Sequence, residues 1–347
     1  MNFYTKQHKY YCGIDLHARN MYLCILDELG EIMLHRNLKT NRELFLKVIE
    51  PYREDIVVSV ECMFTWYWLA DLCAKENIPF VLGHALYMKA IHGSKAKNDK
   101  IDSKKIGILL RGGMIPQSYV YPQKMRATRD LLRRRNHLVR KRSELFSHIQ
   151  NTKSQYNLDE PIGKIARPKN REGVVEMFDE PSAQNMIAVD LQVIESYDPI
   201  IASLEWNLVK TARHHDPISL AILNSISGIG KILSMVILYE IHDINRFPTV
   251  QDFASYCRLV KCSKESNGKK YGSSGKKIGN AHLKWAFSEA AVLFIRGNKQ
   301  AKKYLDKHAN KHGKGKALSI LAHKLGRAVY FMLKNRKPFD EKIFFGL

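Results

Sequence analysis

Four carboxylates in the first third of the chain stand where oxygen-ligand chemistry could be done. Asp15 closes the apolar run Tyr11-Cys12-Gly13-Ile14-Asp15, and Glu61 closes a second, Ile56-Val57-Val58-Ser59-Val60-Glu61. Asp99 and Asp102 follow in Asn98-Asp99-Lys100-Ile101-Asp102. The 347-residue chain holds 56 Lys+Arg against 34 Asp+Glu, so acids at strand ends are not needed for solubility. Gathered oxygen ligands suit Mg²⁺, and two such ions can drive phosphoryl transfer on nucleic acid. Singly, Asp15 reads as a turn or cap residue, and Asp99 and Asp102 as acids complementing a helix dipole. Being three apart, the last two share a helix face. Four carboxylates packed without metal would repel and some would stay protonated. His17 is expected to be a partly exposed turn residue, although an extended strand would aim it the same way as Asp15.

The elements that must position these acids are legible in outline. Tyr11–Asp15, Met21–Asp27 and Glu31–Leu38 have strand composition, with a tight turn at Leu29-Gly30. Thr40–Tyr52 has helical spacing, Asp55–Glu61 is an Ile/Val-rich buried strand, Trp66–Lys75 is helical and Pro79–Leu82 strand-like. Lys100–Leu110 is a helix starting at the Asp pair. This pattern predicts an α/β domain over residues 1–122. The order strand-Asp, strand-Glu, then Asp-x-x-Asp at a helix start is that of a ribonuclease-H-like core, which brings two central strand ends and one helix together.

Residues 123–216 read as a helical arm. Leu131, Leu138 and Leu145 recur every seven residues, flanked by Leu132, Val139 and Phe146, as in a coiled coil. A second long helix, from Ile187 to Leu208, is expected to break near Pro199, and Asp159–Ser182 to be a loop or poorly ordered arm. The two helices form either an antiparallel hairpin or an oligomerising coiled coil. Between residues 126 and 142, Arg126, Arg129, Arg133, Arg134, Arg135, Arg140, Lys141 and Arg142 face a single acid, Asp130, which points to phosphate contact. The net charge of +22 suits a polyanion partner, by counterion release and steering.

Residues 217–347 form a third, mainly helical region. Ser227-Gly228-Ile229-Gly230-Lys231 resembles a helix-hairpin-helix turn, in which Gly228, Gly230 and Lys231 approach a phosphate at a helix N-terminus. The stretch 261–279 is rich in Lys, Gly and Ser. It carries Ser263, Ser266, Ser273 and Ser274 among Lys264, Lys269, Lys270, Lys276 and Lys277. It reads as a flexible basic loop touching phosphates, or as the seat of a serine nucleophile. Six scattered cysteines form no CxxC pair or zinc spacing, which argues for reduced thiols. The start MNFYTKQHKYYCGID lacks a signal-peptide core, and no 18-residue apolar run exists. The expectation is a cytoplasmic, nucleoid-associated protein with no membrane contact.

Together these pieces resemble the DEDD transposases of bacterial insertion sequences, which include the Piv-type DNA invertases. The resemblance rests on Gly13-Ile14-Asp15, Val60-Glu61, Lys97-Asn98-Asp99-Lys100-Ile101-Asp102, Ser227-Gly228-Ile229-Gly230, Ser266-Asn267-Gly268-Lys269 and Lys277-Ile278-Gly279-Asn280-Ala281-His282-Leu283. The run from Gly315-Lys316-Ala317 to Ala322-His323-Lys324-Leu325 looks like the family's closing helix. The resemblance implies an α/β plus α architecture: a RuvC-like catalytic domain, a coiled-coil middle and a C-terminal transposase domain. It implies Asp15, Glu61, Asp99 and Asp102 as the metal-binding tetrad. It also implies a serine nucleophile, which the motif's spacing puts at Ser266 rather than Ser274, and a covalent phosphoserine intermediate. The implied partners are double-stranded DNA at element ends and target, a structured non-coding bridge RNA that pairs with both, and further copies of the chain, as dimers assembling into a tetramer. Many members carry Thr-Gly after the glutamate, where this chain has Cys62-Met63-Phe64. Many also have a proline before the serine loop, where it has Lys261-Cys262. Two other readings stay open: a metal-only endonuclease close to Holliday-junction resolvases, and a non-catalytic nucleic-acid-binding protein.

Overall fold

The computed structural model describes residues 2–91, 98–158, 163–261, 264–272 and 278–346. They fall into two compact units, Met1–Gln123 and Lys124–Leu347. In the first, β1 (Tyr10–Leu16), β2 (Asn20–Asp27) and β3 (Ile32–Lys39) form an antiparallel meander. Helix α1 (Arg42–Ile49) and a 3₁₀ turn lead to β4 (Ile56–Glu61), and α2 (Tyr67–Lys75) leads to β5 (Phe80–Gly83). Helices α3 (Ala85–Ile91) and α4 (Asp99–Arg111) complete the unit. The sheet order is β3-β2-β1-β4-β5, with β1, β4 and β5 mutually parallel. The mixed α/β class is as expected. Helix α3 was not expected, because seven residues are too few to show a helical period.

Strand alternation divides the side chains between two cores. Cys12, Ile14 and Leu16 of β1 join Met21, Leu23 and Ile25 of β2, Phe45 of α1 and Leu69 of α2. On the opposite face Tyr11, Cys24, Leu26 and Val57 meet Ile106, Leu109 and Leu110 of α4. Gly13 lies on this second face, and α4 crosses directly over it. A Cβ built on Gly13 would overlap the Gly107 amide nitrogen and the Ser103 carbonyl oxygen, with Gly107 Cα only 2.8 Å away. Ser59 and Ser103, both fully buried, are the other small residues here, so α4 sits against the sheet nearly backbone to backbone. Asn98 caps α4 by accepting from the Ile101 amide at 2.8 Å. His35 of β3 ties the helix down through Lys100 O at 2.9 Å and Ser103 Oγ at 3.2 Å.

The second unit is mainly helical. It comprises α5 (Gln123–Gln155), α6 (Pro181–His215), α7 (Pro217–Asn224), α8 (Lys231–Ile241) and α9 (Val250–Tyr256), a hairpin of β6 (Lys264–Ser266) and β7 (Lys269–Gly272), then α10 (Ala281–Gly297), α11 (Lys299–His312), α12 (Lys314–Asn335) and α13 (Glu341–Phe345). Helices α5 and α6 pair antiparallel. Arg135 bonds Glu205 and Arg142 bonds Asp198, so seven residues forward on α5 match seven backward on α6; His148–Asp190 at 2.5 Å continues the series. Contrary to expectation α6 is unbroken at Pro199. Proline leaves the Glu195 carbonyl without its helical donor, but both residues are exposed and water can serve it. Residues 163–180 are also no loose arm, since Ile165, Val174 and Phe178 are buried against Ile149 and Ile187. The boundary drawn at 216 lies inside a continuous core, where Leu208 and Ala212 pack with Leu223 and Val236.

One buried ion pair joins α5 to this core. Glu240, on the wholly buried face of α8, receives Arg133 Nε at 2.7 Å and Nη2 at 2.8 Å, and Asn280 Nδ2 at 2.8 Å. Burial alone would raise the Glu240 carboxyl, but hydrogen bonds and charge from Arg133, with Asn280, outweigh it and hold it below the usual glutamate range. The unfolded chain therefore takes up this proton first. The stabilisation is complete above the unfolded glutamate pKa, about 4.3, and is lost as pH falls through the lower native value. Arg133→Ala should cost about 3 kcal/mol at pH 7 by stranding the carboxylate. The deficit in denaturant midpoint should shrink as pH falls below the unfolded glutamate value, about 4.3; a deficit that stays constant down to about pH 3 would remove the charge argument.

Candidate active site

Three elements end at one place. Parallel pairing of β1 with β4 runs to Ile14–Val60, so Asp15 and Glu61 follow on adjacent central strands, one residue beyond and on the α4 face. Helix α4 begins there with Asp99 and Asp102 in its first turn. All four carboxylates line a single cavity of about 360 Å³, with Leu16, His17, Met63, Phe64, Thr65 and Asn98. Gly13 and Asp15 share a face two residues apart, so the glycine that admits α4 also decides how near the helix acids come to the strand acid.

His17 has a larger part than its expected place in the turn suggested. The turn is there, between β1 and β2, yet its Nε2 lies 3.4 Å from Asp15 Oδ2 and 3.7 Å from Asp99 Oδ1. Asp15, His17 and Asp99 each offer a ligand atom, all within 4.8 Å of one another. Its spacing of two from Asp15 was the available signal. Partial burial raises the Asp15 carboxyl above the usual aspartate range; His17 opposes this, while Asp99 and Asp102 add to it. A mostly oxygen donor set fits a hard divalent cation.

The remaining sequence candidates lie in the second unit. Ser266 ends β6 and is exposed, paired with Lys269 across a two-residue turn. Asn267 and Gly268 take φ of 49° and 73°, the conformation that Asn-Gly hairpin turns require. The sequence was read here as a loop, although that dipeptide was the signal for a hairpin. Lys270 lies in β7, and Lys276 and Lys277 lie outside the described residues. Gly228 (φ +86°) packs against α10, where a Cβ would meet the Phe294 nitrogen at 2.6 Å. Gly230 caps α8, and it and Lys231 are exposed.

The arginine-rich face divides. Arg133, Arg135 and Arg142 are committed to Glu240, Glu205 and Asp198, and Lys141 bonds Glu144 at 2.8 Å. Arg126 and Arg129 are buried, whereas Arg134 and Arg140 are exposed.

An α/β unit with an acidic cavity, followed by a helical unit with an exposed serine hairpin, belongs to the DEDD transposases of insertion sequences. Residues 12–157, which hold all four carboxylates, match the DEDD-type IS110 transposase. Residues 220–306, which hold Ser266, match the Transposase IS116/IS110/IS902 family. No curated protein matches the chain. The family implies action on DNA and use of a divalent metal. Among the described residues no helix is long and apolar enough to cross a membrane.

Two expectations follow. Mg²⁺ or Mn²⁺ should raise the melting temperature of the wild type, by an amount equivalent to about 2.7 kcal/mol at a hundred times Kd. Asp99→Asn should erase that rise while slightly stabilising the metal-free protein, because one repulsion on Asp15 is gone; unchanged metal stabilisation would remove Asp99 from the ligand set. Gly13→Ala should cost about 1–3 kcal/mol by overpacking and abolish the metal response. Gly107→Ala should do neither, since its Cβ would meet only Leu26 Cδ1 at 3.4 Å and Cys24 O at 3.6 Å. Equal behaviour of the two alanine variants in denaturant and metal titrations would refute the close-approach argument.

Proposed function

We propose that the chain is a DNA recombinase of an insertion sequence, with a RuvC-like metal site formed by Asp15, Glu61, Asp99 and Asp102 and with Ser266 as nucleophile. The observation that carries this reading is the meeting of the four carboxylates, from two adjacent strand ends and one helix start, in a single cavity. Two Mg²⁺ ions held there would supply Lewis-acid stabilisation of charge on phosphate oxygens. Asp15 and Glu61 come from rigid central strands and so hold fixed positions. Asp99 and Asp102 come from the α4 N-terminus, whose amides also favour negative charge.

Ser266 supplies the covalent step. Its hydroxyl oxygen bonds to a DNA phosphorus as the phosphorus–sugar oxygen bond breaks. The serine proton passes to a base or solvent, and the departing strand oxygen gains one. The phosphoserine ester conserves the bond, so a strand hydroxyl can later rejoin it. Lys269, beside Ser266 in the hairpin, suits the phosphate charge. Specificity is assigned to a structured guide RNA that pairs with donor and target DNA. The exposed Arg134 and Arg140, the Gly230–Lys231 turn and the lysines of the serine region serve as backbone contacts that read no sequence. The working form is a homo-oligomer, a dimer or tetramer.

The competing reading is a RuvC-like endonuclease, close to Holliday-junction resolvases, in which water attacks and Ser266 only holds phosphate. With Mg²⁺ and DNA carrying the element's ends, wild type should yield a denaturation-resistant protein–DNA adduct, and Ser266→Ala should yield none. Strand breaks with free 5′-phosphate ends, no adduct and an active Ser266→Ala would establish hydrolysis instead.

A further inference from the structure

The lip of the carboxylate cavity is apolar, which metal chemistry alone does not require. Met63 and Phe64 line the same cavity as the four acids, yet Phe64 is 80% exposed and Met63 52%. The neighbouring aromatics are accounted for. Trp66 is 4% exposed, packs in the sheet core and meets Tyr67 edge-on at 4.6 Å. Phe64 is not part of that core.

The turn bearing Phe64 is pinned at both ends. Cys62 N donates to Gly83 O of β5 at 2.8 Å, Met63 N to Glu61 O at 2.8 Å, and Thr65 Oγ1 to Leu16 O of β1 at 2.9 Å. Phe64 is therefore held at the rim by the strands that supply Glu61 and Asp15. Burying it would gain hydrophobic free energy, and the folded chain forgoes that gain. A nucleotide whose phosphate lies at the carboxylates brings its base with it. The phosphate needs the charged floor, while the flat, weakly hydrated face of the base suits an aromatic rim.

We propose that Phe64 is a positioning residue that stacks on a nucleobase adjoining the phosphate bound at the carboxylates, with Met63 flanking the same base. The inference rests on the metal-dependent DNA chemistry proposed above. Every base has a π-face, so such a stack holds the strand without selecting sequence. It would thus fix the phosphate against Asp15 and Glu61 while leaving recognition to other contacts.

The test uses the full chain and DNA that the wild type cuts in Mg²⁺, with the break mapped. Each nucleotide flanking the break is then replaced in turn by an abasic residue. Phe64→Ala should fold normally and cut intact DNA about tenfold more slowly, in the range of one lost base–aromatic stack. Phe64→Tyr should cut as wild type. One abasic position should slow the wild type similarly and add nothing to Phe64→Ala. 2-Aminopurine at that position, with Ca²⁺ replacing Mg²⁺, should be quenched by wild type and Phe64→Tyr but not by Phe64→Ala. Wild-type cutting rates in Phe64→Ala, or additive losses on abasic DNA, overturn the stack alone. A drop in particle mass with Phe64→Ala, without loss of quenching, assigns the ring to a protein contact and also overturns it. A wild type that makes no metal-dependent break overturns the parent reading and the stack together.

Discussion

The seating of α4 on Gly13 is the constraint on which the first unit depends. Helix and sheet normally stand apart by the depth of their side chains, yet here Gly13, Ser59, Ser103 and Gly107 remove that depth. The closeness is specified from one side: a methyl at Gly13 collides with helix backbone, while a methyl at Gly107 meets only a leucine tip and a carbonyl at ordinary distance. The result is a helix start held level with two strand ends. Acids from three elements are thereby brought to one cavity, and the Asp15 carboxyl is raised first by its burial there and then by the nearby Asp99 and Asp102.

The second unit meets the opposite problem, an excess of positive charge, and resolves part of it internally. Arg135 and Arg142 reach across the hairpin to acids on α6, and Arg133 reaches into the core to Glu240. These pairs set the register of two long helices whose apolar seams alone would tolerate a shift by one heptad. Arg134 and Arg140 remain exposed. A polyanion approaching this arm therefore meets fewer free cations than composition suggests. Arg133 is structural before it can be anything else.

Much of the first unit was legible in the sequence because its strands are short, apolar and bounded by turn residues. The end positions of Asp15 and Glu61 could be read from where the Ile/Val runs stopped. Their adjacency could not, since it depends on the parallel pairing of strands some forty residues apart. His17 is the exposed turn residue the sequence suggested, but that it and Phe64 both reach the cavity depends on the three-dimensional path of two short turns. In the second unit the seven-residue repeat in α5 was plain. The continuity of α6 through Pro199 was not, because the penalty for proline depends on whether the orphaned carbonyl reaches water. The Asn267-Gly268 turn was legible by rule but lay hidden in a stretch whose composition argued for disorder.

The hairpin bears on how a serine could act as nucleophile. An unactivated hydroxyl ionises far above neutral pH, and a serine buried among apolar groups would be harder still to ionise. Ser266 is exposed at the end of a strand, paired with Lys269 across a turn whose Asn-Gly backbone fixes its direction. A short two-stranded ribbon presents a side chain at its tip without enclosing it, so the hydroxyl stays open to a bulky phosphodiester. On the proposed reading, activation of that hydroxyl would come from groups outside the hairpin. The carboxylate set, in one unit, would call for metal, and the open serine, in the other, would call for activation, so each would supply what the other lacks once DNA is bound.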